Sequence, residues 1–538
     1  DSPPPAGTTY SARAVKVSAS GQFDDFSGSN DRYTASGSAR WTPGTGFLNY
    51  LEAGVFYENT SFTSNQVRSQ IGGNVPVTSL GLDFVPSDLS RIGIDNAGFL
   101  VLSEASVRDL ADNLESYVSS TGLTITPIIP NPDQENEKTE EENLAAYVQA
   151  RVDIGKVEII GGVRYNRTKL AATNLVFPVY TGPILPENGG GVGNDLIFQN
   201  EFTRLVTEES VAEDFLPRVL FNYRASDDLI FRGGYFLSVA RPSIGQLSSE
   251  TRIAFINFPI PGPEGVKPIL QINSGNPNLK PAKTDNFDIS AEYYSGIGIF
   301  KLSGFYKRID NLLQTNITNG PAVLDAITLP DYPYFNGAPY FDPANPDSVF
   351  ITGGTPVNSD DVAELWGIEA QAERRFDFLP GVWGGFGVYV NYTYTESWRT
   401  DRYTYAYEPA PDNVYEFTGL PFVQQPRHSG TAALTYAKYD IDANLTYGYQ
   451  SRALSSFRPR GLSNYTEAVE TLDFRAEYYL RPAFADLRVF FEANDLLNGT
   501  GDLDVAYSFG GEQGVPSYYH RATYLGGRRF KIGISATF

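Results

Sequence analysis

Apolar and polar residues alternate along much of this chain. At its end, Phe530, Ile532 and Ile534 share one parity, and polar or small residues occupy the positions between them. The same period of two recurs in segments 287–293, 366–374, 441–450, 472–480 and 487–494. A period of two places successive side chains on opposite faces of a β-strand. Each segment therefore predicts a strand with one apolar and one polar face.

The connections between the predicted strands have two lengths. Short ones such as 153–156 and 437–440 alternate with long ones. The long connections lie near residues 64–142, 171–212, 241–284, 314–361, 397–427, 452–469 and 499–527. Tight turns at one rim and long extracellular loops at the other are typical of a transmembrane antiparallel β-barrel. We therefore predict an all-β barrel of about 16 strands over residues 1–538, with the first two strands beginning near residues 10 and 31.

The apolar face of these strands is expected to contact lipid, and the polar face is expected to contact water. The apolar positions expected to face lipid include Phe530, Ile532, Ile534, Leu487, Val489 and Phe491. The charged positions expected to face a water-filled lumen include Arg475, Glu477, Arg488 and Glu492. A large soluble all-β protein is the alternative, but it has no reason to separate tight turns so strictly from long loops.

Composition excludes several other classes. A net charge of -22 without a basic stripe argues against nucleic acid as a partner. Cysteine is absent, so the chain has neither disulfides nor thiolate metal sites. Only two histidines and no G-x-S-x-G motif are present, and we therefore do not predict an enzyme.

Aromatic residues in two long loops are candidates for binding a solute. They are Tyr334, Phe335 and Tyr340 in the first loop and Trp398, Tyr403 and Tyr405 in the second. Aromatic rings stack on sugar faces and on aromatic chelators, and they also pack loops against one another. Both interpretations are open at this point.

An acidic run at 131–142 is the one candidate metal site. Asp133, Glu135 and Glu137 offer carboxylate oxygens of the kind that Ca²⁺ prefers. The spacing lacks the glycine and the terminal glutamate of a calcium-binding loop, so a solvated acidic loop is the alternative. No other cofactor is indicated.

Several stretches resemble one family. They include "EDFLPRVLFNYRASDDLIFRGGYFLSVARPS" at 213–243, "GNPNLKPAKTDNFDISAEYY" at 275–294, "FEANDLLN" at 491–498 and "GGRRFKIGISATF" at 526–538. In this order they resemble the TonB-dependent outer-membrane receptors. The stretch at 143–168 is similar to the subfamily common in Caulobacter- and Xanthomonas-like bacteria.

The resemblance implies a function and a set of partners. Such receptors take up scarce solutes with energy from an inner-membrane TonB complex, which contacts an N-terminal plug. Their other expected partners are outer-membrane lipid, lipopolysaccharide and the barrel assembly machinery. The terminal strand with Phe530, Ile532, Ile534 and Phe538 is expected to close the barrel.

One departure from the family concerns the plug. No plug-like sequence is recognisable, and family barrels have about 22 strands, so this chain corresponds to the last 16 or so. A passive porin of about 16 strands and a structural or adhesive surface barrel are the alternatives. A pI of 4.6 disfavours anionic solutes, which favours an oligosaccharide over a metal chelate.

Overall fold

The computed structural model describes most of the chain outside its long loops. The described residues are 16–18, 21–44, 46–72, 74–76, 83–86, 100–103, 105–106, 109, 113, 116, 124–127, 137–184, 191–194, 204–243, 246–247, 251–262, 265–273, 275–276, 278–296, 298–319, 334–335, 338–339, 350–404, 414–457, 463–480, 482, 485–507, 517–525 and 527–537.

Fifteen strands of the described residues form one continuous antiparallel wall. In chain order they are β1 (Gly21–Trp41), β2 (Leu48–Gly72), β3 (Glu137–Ile154), β4 (Val157–Ile184), β5 (Arg204–Arg224), β6 (Leu229–Ala240), β7 (Ala282–Ser295), β8 (Gly298–Asp310), β9 (Ala363–Arg375), β10 (Phe386–Thr404), β11 (His428–Lys438), β12 (Ile441–Gln450), β13 (Val469–Leu480), β14 (Asp486–Asn494) and β15 (Arg529–Thr537). Each strand pairs with the next one. The wall is the barrel type of sheet that the sequence predicts.

The two edge strands of this wall run in the same direction. Within the described residues, β1 pairs only with β2, and β15 pairs only with β14. Consecutive antiparallel pairing of an odd number of strands makes the first and last strands parallel to each other. We call the gap between these two edge strands the seam. Closing it with antiparallel pairs therefore requires an odd number of further strands between β1 and β15.

The strand predicted near residue 10 bears on this seam. Its described part, Lys16–Ser18, pairs with Asn74–Pro76 and extends the β1–β2 hairpin. Residues 1–15 lie outside the described part of the chain. None of the described residues forms a helix long and apolar enough to cross a membrane.

The long connections carry short strands of their own. These are Asn74–Pro76, Phe84–Pro86, Leu100–Leu102, Thr124–Pro127, Gly191–Asn194, Thr251–Gly262, Gly265–Asn273, Leu313–Asn319, Tyr334–Phe335, Ala338–Pro339, Phe350–Asn358, Val414–Leu420, Ala453–Ser456, Asn464–Thr466, Thr500–Tyr507 and Ser517–Leu525. A 3₁₀ turn, Gly381–Gly385, lies in a short connection. The last four of the short strands form a separate four-stranded sheet.

Cross-strand register divides the wall into an apolar and a polar face. Ile532 faces Phe491, and Ile534 faces Val489. On the opposite face, Lys531 lies beside Glu492, which in turn faces Arg475. The predicted lipid-facing and lumen-facing groups thus lie on opposite faces, because paired residues of neighbouring strands share a face.

The apolar face is the outward one. Phe530, Ile532 and Ile534 are 63%, 78% and 73% exposed, and large exposed side chains recur at the same parity on the other wall strands. So much exposed apolar surface is unfavourable in water and requires an apolar medium. We call this the outward face, and the polar one the inward face.

An aromatic row follows the outward face across strands β6 to β10. Tyr235, Phe287 and Tyr306 are cross-strand neighbours with ring centroids 5.1 and 6.1 Å apart. Trp366 continues the row beside Tyr306, and its ring lies 5.6 Å from that of Tyr394. Aromatic rows of this kind mark the membrane–water interface of outer-membrane barrels.

Candidate functional site: the inward face of the wall

The inward face carries charged side chains that are largely paired with one another. In β6, β7 and β8, the carboxylate of Glu292 accepts hydrogen bonds from Arg232 Nε at 3.0 Å and from the Tyr294 hydroxyl at 2.8 Å. Ser290 donates a third bond, and Lys301 Nζ lies 3.7 Å away. Glu292 is only 4% exposed, so these partners offset the cost of burying its charge.

Two further glutamates are held in the same way. Glu52 accepts hydrogen bonds from Arg40 and, at 2.6 Å, from the Tyr147 hydroxyl. Glu477 accepts a bond from Arg475 Nε at 2.9 Å and one from the Tyr479 hydroxyl at 2.7 Å. Each site combines a buried glutamate, an arginine and a tyrosine. Side chains of the wall itself therefore hold these lumen-facing carboxylates in position.

Removing one of these charges should weaken the wall. Glu292→Gln leaves Arg232 with a neutral partner, and we expect a loss of about 1–2 kcal/mol in the free energy of unfolding. Chemical denaturation of the refolded protein in detergent measures this loss. Asp442→Asn is the matched control, because Asp442 is exposed on the inward face of β12. Equal stability of the two variants would contradict the structural role of Glu292.

Three aromatic rings on the inward face occupy the space next to glycines of neighbouring strands. A Cβ atom built on Gly367 would lie 2.4 Å from the ring of Phe305. The corresponding distances are 2.6 Å for Gly54 and Tyr147 and 2.4 Å for Gly533 and Phe490. A side chain at any of these three glycines would therefore collide with the neighbouring ring.

The ring of Phe490 differs from the other two in its charged neighbours. The Arg488 guanidinium lies 5.7 Å and Lys531 Nζ 5.2 Å from the ring centroid. These distances are in the range of cation–π attraction. The lumen-facing rings are therefore not equivalent, because Phe490 is flanked by cations.

The upper part of β10 forms an extracellular hairpin with Val414–Leu420. Asp401 in this hairpin is buried, and its carboxylate lies 2.7 Å from Arg399 and accepts a 2.9 Å hydrogen bond from Gln314. Burial raises the pKa of Asp401, and Arg399 opposes this rise. The contact ties the hairpin to the neighbouring extracellular strand, Leu313–Asn319.

Trp398 is the predicted solute-binding aromatic whose side chain the structure describes. It lies on the outward face of β10, opposite Glu364, and its indole Nε1 donates a 2.6 Å hydrogen bond to that carboxylate. The Tyr306 hydroxyl donates to the other oxygen of Glu364. Trp398 therefore lies one row above the outward aromatic row, which favours an interfacial role over contact with a solute in the lumen.

The other predicted solute-binding residues are described by their backbone or not at all. Tyr334 and Phe335 form a two-residue strand that pairs with Ala338–Pro339. Tyr403 faces Tyr415 in the extracellular hairpin. Tyr340 and Tyr405 lie outside the described residues. Solute binding by this group stays a prediction.

The predicted calcium ligands and the chain end are described only in part. Glu137 begins β3, whereas Asp133 and Glu135 lie outside the described residues. Elsewhere in the described part of the chain, His, Asp and Glu side chains form no group of three that could hold a metal ion. Phe538 also lies outside the described part, and β15 has one described partner. Calcium binding and closure of the barrel by β15 therefore stay predictions.

A lumen-facing cavity was not foreseen from the sequence. It lies on strands β5 to β9 and includes Asp288, Ser303, Phe305 and Glu369. The period of two places the polar residues of this group on the inward face. The contact of Phe305 with Gly367 follows from the register between strands that are distant in sequence, which alternation does not reveal.

Comparison with known proteins supplies the family. The family profile described as "TonB dependent receptor-like, beta-barrel" matches residues 1–496. The chain belongs to the TonB-dependent receptors and forms a β-barrel of the outer membrane. No curated protein matches it.

Solved structures of two uptake or siderophore receptors and of one transporter are similar to this chain. The ferric yersiniabactin uptake receptor FyuA of Yersinia pestis matches with 12% identity and a TM-score of 0.47, covering 96% of this chain and 56% of that one. The ferric citrate transporter FecA matches with 14% identity and a TM-score of 0.47, at the same coverages. The siderophore receptor PiuA of Acinetobacter baumannii matches with 12% identity and a TM-score of 0.48, again at these coverages. The chain thus spans little more than half the length of these receptors.

Proposed function

We propose that this wall belongs to a receptor that actively takes up a scarce oligosaccharide across the outer membrane. Membership of the TonB-dependent family supports active uptake, with energy from an inner-membrane TonB complex. In this proposal the inward face lines the path of the solute, and the outward face contacts lipid and lipopolysaccharide. The barrel assembly machinery is the proposed partner for insertion.

The pairing of the inward charges supports a neutral solute. Glu292, Glu477 and Glu52 each engage an arginine of the wall. Arginines engaged in this way are less available to bind an anionic chelate, and a net charge of -22 repels anions further. A neutral polyhydroxylated solute meets no such barrier and finds many hydrogen-bonding groups.

A metal chelate is the second candidate solute, because aromatic side chains in the long loops would also stack on an aromatic chelator. The similar structures include receptors for ferric yersiniabactin and ferric citrate, but sequence identities of 12–14% carry no information on the solute of this chain.

Antiparallel closure requires an odd number of further strands between β1 and β15. One further strand would complete a barrel of 16 strands, whereas several would belong to a longer receptor. We propose the longer receptor, because barrels of this family have about 22 strands. We further propose that the receptor has an internal plug that contacts TonB. We also propose that it belongs to the subfamily common in Caulobacter- and Xanthomonas-like bacteria. The mass of the protein purified from native outer membranes tests the longer receptor, because a mass equal to that of this chain alone would contradict it.

Uptake measurements test the oligosaccharide proposal. We expect cells that carry the receptor to accumulate labelled neutral gluco-, xylo- or manno-oligosaccharides, and we expect accumulation to stop when the inner-membrane TonB complex is deleted. Labelled ferric chelates provide the comparison. Energy-dependent accumulation of a ferric chelate, with no accumulation of any sugar, would assign the receptor to the second candidate.

Electrical conductance separates active uptake from a passive porin. A receptor with an internal plug should remain nearly closed in a planar lipid bilayer, because the plug fills the lumen. A porin should stay open and conduct steadily. Steady conductance of the intact protein, together with sugar uptake in cells that lack the TonB complex, would favour the porin.

A further inference from the structure

The connection between β9 and β10, residues 376–385, exposes large apolar side chains. Phe378, Val382 and Trp383 are each more than half exposed. The connection at 225–228, by contrast, consists of an alanine, a serine and two aspartates. Exposed apolar side chains that cluster in one connection indicate contact with a partner or with an apolar medium.

The contacts of Trp383 place its ring on the outward side of the wall. The ring stacks on that of Phe386, with centroids 5.9 Å apart. Phe386 has the parity of Val390, an exposed outward residue of the same strand, and it faces Tyr436 of β11. The outward face of β10 therefore continues into the connection through Trp383.

Two cations lie on the same side. Arg374 of β9 faces Val388, which is an outward position of β10, and its guanidinium lies 4.9 Å from the centroid of the Phe378 ring. Lys438 Nζ of β11 donates a 2.7 Å hydrogen bond to the carbonyl oxygen of Gly381. Within the described part of the chain, neither cation pairs with a carboxylate. Both are therefore available to an anionic group outside the protein.

Glycines fix the shape of this connection. A Cβ atom on Gly385 would lie 2.7 Å from the ring of Tyr436, and one on Gly384 would lie 2.5 Å from the backbone oxygen of Leu379. Gly381 has a φ of +61°, which is in the left-handed region that favours glycine. The connection thus packs closely against β11, which holds its apolar side chains on the outward side.

The length of β9 sets the height of the connection in the membrane. Phe376 lies ten positions from Trp366, which belongs to the outward aromatic row. A rise of about 3.4 Å per residue and a strand tilt of about 40° give a height of about 25 Å, which equals that of the apolar band of such barrels. The connection therefore lies at the membrane–water interface opposite the extracellular one, where the exposed Asp377 remains in water.

We propose that residues 376–385 form an anchor that enters the phospholipid headgroups at the periplasmic interface. The rings of Phe378 and Trp383 lie between the headgroups and the acyl chains, the position that aromatic side chains favour at a membrane surface. Arg374 and Lys438 bind lipid phosphates, while their aliphatic stems cover apolar surface. The anchor belongs to the wall alone and is independent of the solute and of a plug.

Fluorescence quenching of the full receptor in vesicles of brominated phospholipids tests the anchor. These 538 residues contain four tryptophans, so the spectrum of Trp383→Phe is subtracted from that of the parent protein to isolate the contribution of Trp383. We expect bromines near the headgroups to quench this contribution more strongly than bromines at the chain ends. Acrylamide in the water should quench it weakly.

Ile532→Trp and Ser535→Trp are the matched controls, because the two positions lie on the outward and inward faces of β15. The tryptophan that Ile532→Trp introduces should be quenched most by bromines at the chain ends, and that of Ser535→Trp by neither lipid. Strong quenching of the Trp383 contribution by acrylamide, with no quenching by either lipid, would overturn the anchor.

Photo-crosslinking in living cells separates lipid from a protein partner. A p-benzoylphenylalanine in place of Val382 should form an adduct with phospholipid on illumination, which mass spectrometry of the peptide that contains position 382 detects. A discrete protein adduct in place of the lipid adduct would assign the connection to a protein interface and overturn the anchor.

Discussion

Replacing Ile532 by arginine is expected to destabilise the folded barrel by roughly 2–4 kcal/mol if the residue lies at the membrane midplane. Ile532 is 78% exposed on the outward face of β15, beside Phe491 of β14. A guanidinium at this position has to enter lipid without a partner, which is costly. Equilibrium unfolding from phospholipid vesicles by denaturant measures the loss.

Ser535→Arg provides the matched control on the same strand. Ser535 faces Arg488 on the inward face, where an added charge meets water. We expect its effect on the free energy of unfolding to be much smaller than that of Ile532→Arg. Equal losses of unfolding free energy in the two variants would contradict the claim that the outward face contacts lipid and the inward face contacts water.

Gly367→Ala is expected to cost about 3 kcal/mol, the upper end of the usual range for overpacking. The added Cβ would lie 2.4 Å from the ring of Phe305 and 2.5 Å from the backbone oxygen of Tyr394. The ring can turn aside, but the backbone oxygen belongs to the neighbouring strand and cannot move without disturbing the ladder. Denaturant unfolding in detergent is the appropriate measurement.

Gly37→Ala is the comparison variant, since a Cβ atom on Gly37 of β1 has no atom within 4 Å. We expect it to leave the free energy of unfolding nearly unchanged. A similar loss in both variants would contradict an origin of the cost in the contact with Phe305 and the neighbouring strand.

The alternation of residues predicts the two faces of the wall well. Ile532 and Lys531 are adjacent in sequence, and the period of two alone assigns them to opposite faces, as the register shows. This works because the side chains of a strand alternate whatever its partners are. The same rule places Glu477 and Arg475 together on the inward face.

Strand length and cross-strand contacts could not be predicted in this way. The sequence assigns Trp398 to a loop beginning at residue 397, but β10 continues to Thr404 because it pairs with Val414–Leu420. Continuation of the strand carries Trp398 to the outward face, beside Glu364. Contacts such as that of Phe305 with Gly367 depend on the register between segments far apart in the chain. The alternation of residues within one strand does not determine this register.

Single-cysteine labelling along β15 tests most directly the claim that this wall separates lipid from a water-filled lumen. These 538 residues contain no cysteine, so each introduced thiol is the only one in this part of the protein, and the receptor without an introduced cysteine gives the background. In phospholipid vesicles, a water-soluble maleimide should label cysteines at Lys531 and Ser535 but not at Ile532 and Ile534. All four should be labelled after unfolding. Labelling of the Ile532 and Ile534 positions alone, or of all four equally in the folded protein, would contradict the account.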